Sequence, residues 1–156
     1  MTLPIQRLSH VGICVSDLER SLRFYRDLLG FTAEHDLEVA GEPTNTLLRL
    51  RDVRLKAVYL VRDDVRVELL HFASPPAPPA HARVMNEPGL THLSFRVADL
   101  QAVVRGLRDA GERVLDETVL EFPAFQSAAC FVLDPDGQLI ELVQAPGNPA
   151  APPRSG

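Results

Sequence analysis

The sequence predicts an α+β protein built from one unit used twice, and three observations predict it. The first is a repeat. Leu8-Ser9-His10-Val11-Gly12-Ile13-Cys14-Val15-Ser16-Asp17-Leu18 and Leu90-Thr91-His92-Leu93-Ser94-Phe95-Arg96-Val97-Ala98-Asp99-Leu100 each place a histidine early in an alternating run and Asp-Leu at the start of a helical pattern. Further along, Arg23, Arg26 and Asp27 stand in the first copy where Arg105, Arg108 and Asp109 stand in the second. The second is the order in which periodicity changes: in both copies strand gives way to helix and then to about three strands. The third is the run Ser74-Pro75-Pro76-Ala77-Pro78-Pro79, a stiff spacer that admits neither helix nor central strand.

Each element has a local reason. Residues 9–15 alternate, with His10, Gly12 and Cys14 on one face and Val11, Ile13 and Val15 on the other. Asp17 is a good N-cap, Leu18, Leu22, Tyr25, Leu28 and Leu29 follow at helical spacing, and Gly30 ends the helix. Residues 31–39 read as a strand broken by Gly41-Glu42-Pro43, and residues 44–51 fit a short helix or a strand. Residues 55–61 and 65–72 form a hairpin across Arg62-Asp63-Asp64, with Val65, Val67 and Leu69 on one face and Arg66, Glu68 and Leu70 on the other. In the second copy Asp99 caps a helix running to about Ala110, Gly111 ends it, and residues 112–120 read as a strand. Residues 128–133 and 138–144 form a hairpin around Asp134-Pro135-Asp136-Gly137, whose carboxylates turn chemistry explains. One such unit cannot bury both faces of its sheet. Two sheets side by side with helices outside form a cup with a concave inner face.

Composition narrows the function. At 156 residues with 46% hydrophobic residues the chain makes a single domain of two modules, about 7–73 and 88–145, with a disordered tail at 147–156. A formal net charge of −5 and a single lysine, Lys56, give no electrostatic case for nucleic acid or a membrane surface. No apolar run is long enough to span a bilayer, and Met1-Thr2-Leu3-Pro4 does not open a signal peptide. Cys14 and Cys130 have no metal-finger spacing and are expected as small core residues with reduced thiols in the cytoplasm.

Four residues fall at matching places in the two copies: His10 and His92 on the first strands, Glu68 and Glu141 on the last. Their settings match too, Val67-Glu68-Leu69-Leu70 against Ile140-Glu141-Leu142-Val143. A glutamate between aliphatic residues on a buried hairpin arm is costly unless its charge is compensated. Two imidazoles and two carboxylates make a neutral site for a divalent cation and leave open positions if the metal is five- or six-coordinate. The other histidines do not repeat: His35 and His81 read as surface residues, and His71 lies on the opposite face from Glu68.

These stretches, with Phe24-Tyr25-Arg26-Asp27-Leu28-Leu29-Gly30-Phe31, resemble the vicinal oxygen chelate superfamily of glyoxalase I, methylmalonyl-CoA epimerase, extradiol dioxygenases and the fosfomycin and bleomycin resistance proteins. The resemblance implies paired βαβββ modules forming a cup-shaped mixed sheet with helices on the outer face, and frequent homodimers. It implies that His10, Glu68, His92 and Glu141 are the metal ligands, matching those of glyoxalase I. A second carboxylate argues against the two-His, one-carboxylate iron set of the dioxygenases. The segment Phe122-Pro123-Ala124-Phe125-Gln126-Ser127 is apolar where a glutathione-using enzyme would be basic, which leaves the substrate open.

The expected activity is that of a glyoxalase-like lyase or isomerase acting by proton transfer through a metal-bound enolate on a small carbonyl or thioester-type substrate. By the resemblance Glu141 is the first candidate for the base and Glu68 the second. Leu70, Leu139 and Val143 are expected to line the cup, and Arg96 is either an anion contact at its rim or a solvated strand end. The cofactor is a divalent ion, Zn, Ni, Co, Mn, Mg or Fe. The partners are a small molecule and a second copy of the chain, with no nucleic acid and no membrane. The alternatives are an iron(II) extradiol-type dioxygenase and a drug- or metabolite-binding protein of the bleomycin-resistance kind.

Overall fold

The computed structural model describes residues 3–79, 81 and 84–148. It is a mixed α+β structure whose chain divides into two compact units, Met1–Pro79 and Ala80–Gly156, each with its own mixed sheet. In the first unit β1 (Val11–Cys14), helix α1 (Leu18–Leu22), β2 (Thr32–Ala40), helix α2 (Thr44–Leu48), β3 (Arg54–Arg62) and β4 (Val65–Ser74) form a sheet of order β1-β4-β3-β2. Only β1 and β4 run parallel. In the second, β5 (His92–Arg96), helix α3 (Leu100–Asp109), β6 (Arg113–Val114), β7 (Leu120–Phe122), β8 (Ser127–Leu133) and β9 (Leu139–Gln144) give the order β5-β9-β8-β6, with β7 also on β8. Here β5 and β9 are the parallel pair.

In each unit alternation decides which side chains face the helix. Val67, Leu69 and Leu60 are buried, as are Leu22, Phe24 and Tyr25 of the first helical segment; Ile140, Leu142 and Val132 are buried, as are Leu100, Val104 and Leu107 of α3. The residues between them, Glu68, Leu70, Glu141 and Val143, are half-buried on the other face. Both helix starts are capped as the sequence indicates: Asp17 Oδ1 accepts from the Arg20 N–H at 3.0 Å and Asp99 Oδ1 from the Ala102 N–H at 2.9 Å. On edge strand β2, Asp36 and Glu38 pair with Lys56 at 3.5 and 3.6 Å, and charge of this kind discourages pairing with a foreign strand.

Several elements differ from expectation. The first helix does not stay α-helical: after Leu22 it widens into a π-helical segment, Arg23–Leu28, closed by Leu29 N–H donating to Phe24 O at 2.9 Å. The widened turn lets adjacent Phe24 and Tyr25 both go inside, ring centroids 5.2 Å apart, and leaves Leu28 exposed. The ambiguous stretch is a helix, α2, where Glu42 Oε2 accepts from the Thr46 hydroxyl at 2.7 Å. The single strand expected at residues 112–120 is instead β6, a 3-10 turn Asp116–Thr118 and β7. Thr118 breaks it: its hydroxyl donates to Leu115 O at 2.7 Å and accepts the Phe131 N–H at 2.8 Å, so a side chain takes a ladder position. Cys14 is exposed rather than in the core, because it shares the less covered face of β1 with Gly12; Cys130 is buried, and burial pushes its thiol up. The tail expected to be disordered lies, from residue 149 on, outside the described residues. Among the described residues no helix is long and apolar enough to cross a membrane.

Gly30 follows the helix end at φ +73, and the Arg62 guanidinium donates to the Leu29 carbonyl beside it. A Cβ there would sit 2.8 Å from Arg62 Nη1. Gly30→Ala is expected to lower stability by about 1–2 kcal/mol, the cost of a left-handed non-glycine residue. An unchanged urea midpoint would show that the helix end relaxes freely.

Candidate functional site

Each unit brings one histidine and one glutamate together. His10 immediately precedes β1, and its Nε2 lies 3.1 Å from Oε2 of Glu68 on β4. His92 opens β5, and its Nε2 lies 3.6 Å from Oε2 of Glu141 on β9. The parallel pairings β1–β4 and β5–β9 create both contacts by setting the first strand of the unit beside the last. Among the described residues no group of three or more His, Cys, Asp or Glu side chains lies together as a ready cage. What each unit holds is a pair.

The pairs are held alike. Ser9 Oγ lies 3.1 Å from His10 Nδ1, and Thr91 Oγ1 lies 2.9 Å from His92 Nδ1. A hydroxyl can donate to a bare ring nitrogen or accept from a protonated one, so it supports either tautomer. With Nδ1 occupied, Nε2 is the nitrogen presented to the carboxylate, or to a cation in its place. Ser94 Oγ donates to Glu141 Oε2 at 2.6 Å, from the β5 position directly facing it. In the first unit the residue facing Glu68 from β1 is Gly12, which has no side chain to donate.

An aromatic ring completes each pair. Tyr59 on β3 faces Glu68 in register, and Phe131 on β8 faces Glu141. Each ring meets its histidine edge-on, Tyr59 with His10 at 5.5 Å between centroids and Phe131 with His92 at 5.6 Å. The Glu68 carboxylate beside it, then burial, push the Tyr59 phenol's pKa up to about 12, so the phenol stays protonated. His35, exposed as expected, stacks on the other side of the Tyr59 ring at 4.4 Å.

Sequence reasoning missed Tyr59, Phe131, Ser9, Thr91 and Ser94. For the two rings the fault is register. A hairpin turning through Arg62-Asp63-Asp64 sets Tyr59 opposite Val67, on the helix side. The actual turn has only Asp63 and Asp64 between paired Arg62 and Val65, both aspartates at positive φ, and sets Tyr59 opposite Glu68. The β8–β9 turn is one residue longer than expected, with Leu133 paired to Leu139, and this moves Phe131 from Ile140 to Glu141.

Leu70, Leu139 and Val143 are half-buried on the same faces as the glutamates. Arg96 is not free at a strand end: its Nη2 donates to the carbonyls of Ala145 and Pro146 at 2.7 and 3.2 Å. Asp134 is buried and is a turn residue, as expected, with Oδ1 accepting the N–H groups of Asp136 and Gln138 at 2.9 and 2.7 Å. Gln138 Nε2 in turn donates to Thr91 O at 3.0 Å, tying that turn to the residue that holds His92.

The family model of the glyoxalase/bleomycin resistance protein/dioxygenase superfamily matches residues 7–142, from just before His10 to just after Glu141. The chain belongs to this superfamily. Among relatives of this vicinal oxygen chelate group, it is 32% identical over 142 residues to the uncharacterised protein YaeR of Escherichia coli, covering 91% of this chain and 98% of that protein. It is 32% identical over 143 residues to an ethylmalonyl-CoA/methylmalonyl-CoA epimerase of Cereibacter sphaeroides, covering 90% and 98%. Among solved structures, a glyoxalase family protein from Bacillus cereus superposes with a TM-score of 0.80 at 25% identity, covering 93% of this chain and 97% of that one. Superfamily members are mostly enzymes, and divalent metals serve them.

Proposed function

We propose that the protein is a divalent-metal-dependent lyase or isomerase of the glyoxalase kind, moving a proton beside the oxygen of a small carbonyl or thioester substrate. In this reading His10, Glu68, His92 and Glu141 hold one ion. The observation that carries it is the repeated pair: the same donors, presented through the same atoms, with the same hydroxyl behind each imidazole. One pair offers too few donors for a tightly held divalent ion, so the reading requires both, from one chain or from two. Nitrogen and carboxylate donors of this number suit Zn, Ni, Co, Mn, Fe or Mg, and two carboxylates with two neutral imidazoles balance a 2+ charge. When bound, such an ion supplies Lewis acidity toward the substrate oxygen.

The chain's own residues supply the rest. Glu141 is assigned as the base: its side chain is 27% exposed against 13% for Glu68, so a substrate C–H reaches it more easily. Ser94 engages its Oε2, which leaves Oε1 as the atom that takes the proton. Leu70, Leu139 and Val143 exclude water from the glutamates' faces. The epimerase relative supports proton transfer next to a thioester. The modules, about 7–73 and 88–145, act as one domain, and the chain works in the cytoplasm with its thiols reduced.

Elemental analysis of protein purified without chelator, followed by a substrate screen in deuterated water, tests the proposal. A bound divalent ion with solvent exchange at a substrate carbon is the expected result. Oxygen consumption that requires ferrous iron without such exchange would replace it with the dioxygenase reading; metal-free protein that binds apolar molecules would replace it with a sequestering one. A homodimer is also expected, since β1 and β5 each end a sheet and leave an edge to be covered. Sedimentation at micromolar concentration should show twice the 17.2 kDa chain mass, and a lone 17.2 kDa species would contradict it.

A further inference from the structure

We propose that Tyr59 is a positioning residue of this site: from β3 its phenol holds Glu68 in a fixed orientation, the part that Ser94 plays for Glu141 from β5. The inference rests on the four-ligand reading above. It starts from a complementarity between the two units. Each glutamate is faced by one residue on the strand to either side, and in each unit one of those two carries a hydroxyl. Glu68 has Gly12 on β1 and Tyr59 on β3; Glu141 has Ser94 on β5 and Phe131 on β8. The hydroxyl-bearing residue has changed sides between the copies, and each carboxylate is faced by one.

The terminal torsion of a glutamate is broad, so a carboxylate without a partner samples many orientations. A hydroxyl on one oxygen selects among them, and partners of this kind behind a ligand tune how well it binds. The two hydroxyls differ in stiffness. A serine hydroxyl turns about one short bond. The Tyr59 ring is packed on both sides, edge-on to His10 at 5.5 Å and stacked on His35 at 4.4 Å with 15° between planes. Its oxygen is therefore placed by packing, and His35 acquires a role in supporting the ring. Glu68 is also the more buried of the two glutamates, 13% exposed against 27% for Glu141.

Tyr59→Phe isolates the hydroxyl. Phe131 occupies the matching register position against the same His–Glu geometry, so phenylalanine is compatible with this site, and the metal-free variant should melt as the parent does. The probe is Co²⁺, titrated against a competing chelator and followed by its visible absorption. Tyr59→Phe is expected to lower Co²⁺ affinity about 10–100-fold and to alter the absorption band. A second substitution returns a hydroxyl from the other side. A Cβ at Gly12 would lie 3.8 Å from Glu68 Oε2 and 3.3 Å from the mobile Leu70 Cδ1. The double variant Gly12→Ser/Tyr59→Phe should then regain much of the affinity. Unchanged affinity and band in Tyr59→Phe overturn the proposal while leaving the metal reading in place. A loss that the double variant does not relieve at all traces the effect to ring packing and also overturns it. A parent protein that binds no Co²⁺ overturns the four-ligand reading itself, and this inference with it.

Discussion

Glu141→Gln should exchange a substrate's acidic C–H with solvent deuterium ~10²–10⁴-fold more slowly than the parent protein, the usual scale for losing a general base. The amide has nearly the shape of the carboxylate and can still accept from Ser94, which donates to Oε2 at 2.6 Å in the parent. It cannot take a proton from carbon. Because Glu141 is also a proposed ligand, metal content has to be measured in the same sample, and only metal-replete protein gives a readable rate. Unchanged exchange under that condition would move the base to Glu68. The same substitution at Glu68 should act mainly on metal affinity, since that carboxylate is the more buried of the two.

His92→Ala should lower affinity for divalent metal by more than the about 10–100-fold expected from losing a supporting partner, because it removes a donor outright. The fold has little reason to suffer. The His92 side chain is about one-third exposed, and its strand is held by backbone pairing of residues 92–96 with residues 139–143. What the substitution does release is Glu141, which loses the imidazole at 3.6 Å while keeping the Ser94 hydroxyl. Metal content at parent level in a folded His92→Ala protein would remove this residue from the ligand set. Comparison with Tyr59→Phe separates a ligand from a support: the first variant should lose the metal, and the second should bind it more weakly with an altered spectrum.

The legible parts of this protein were those encoded in local period and in repetition. Alternation alone separates Glu68 from Val67 and Leu69, and Glu141 from Ile140 and Leu142, and the second copy turns two unremarkable histidines into a matched set. The caps Asp17 and Asp99 are visible because a capping carboxylate acts within three residues. Tyr59 and Phe131 were not legible, because their place depends on which residues two turns consume. One residue either way sends a strand's side chains to the opposite face. The Asp63-Asp64 turn is tighter than expected and the Asp134 turn longer, so both rings were hidden by the same kind of error. The widening of the first helix was hidden for a different reason. It arises from burying adjacent Phe24 and Tyr25, a packing demand that a strict helical period does not express. Cys14 was misplaced because its small size reads as core, while its parity with Gly12 puts it on the open face.

The exchange of donor sides between Gly12/Tyr59 and Ser94/Phe131 bears on how such a protein can diverge. Each His–Glu pair has these neighbours within its own half: Ser9 and Tyr59 in one, Thr91, Ser94 and Phe131 in the other. A substitution behind one carboxylate therefore leaves those neighbours of the other in place, and two halves alike in sequence can drift separately. One half can stiffen its carboxylate while the other stays supple, and each change can be tried by selection without dismantling its counterpart. A duplicated scaffold of this kind is free to vary its chemistry one side at a time.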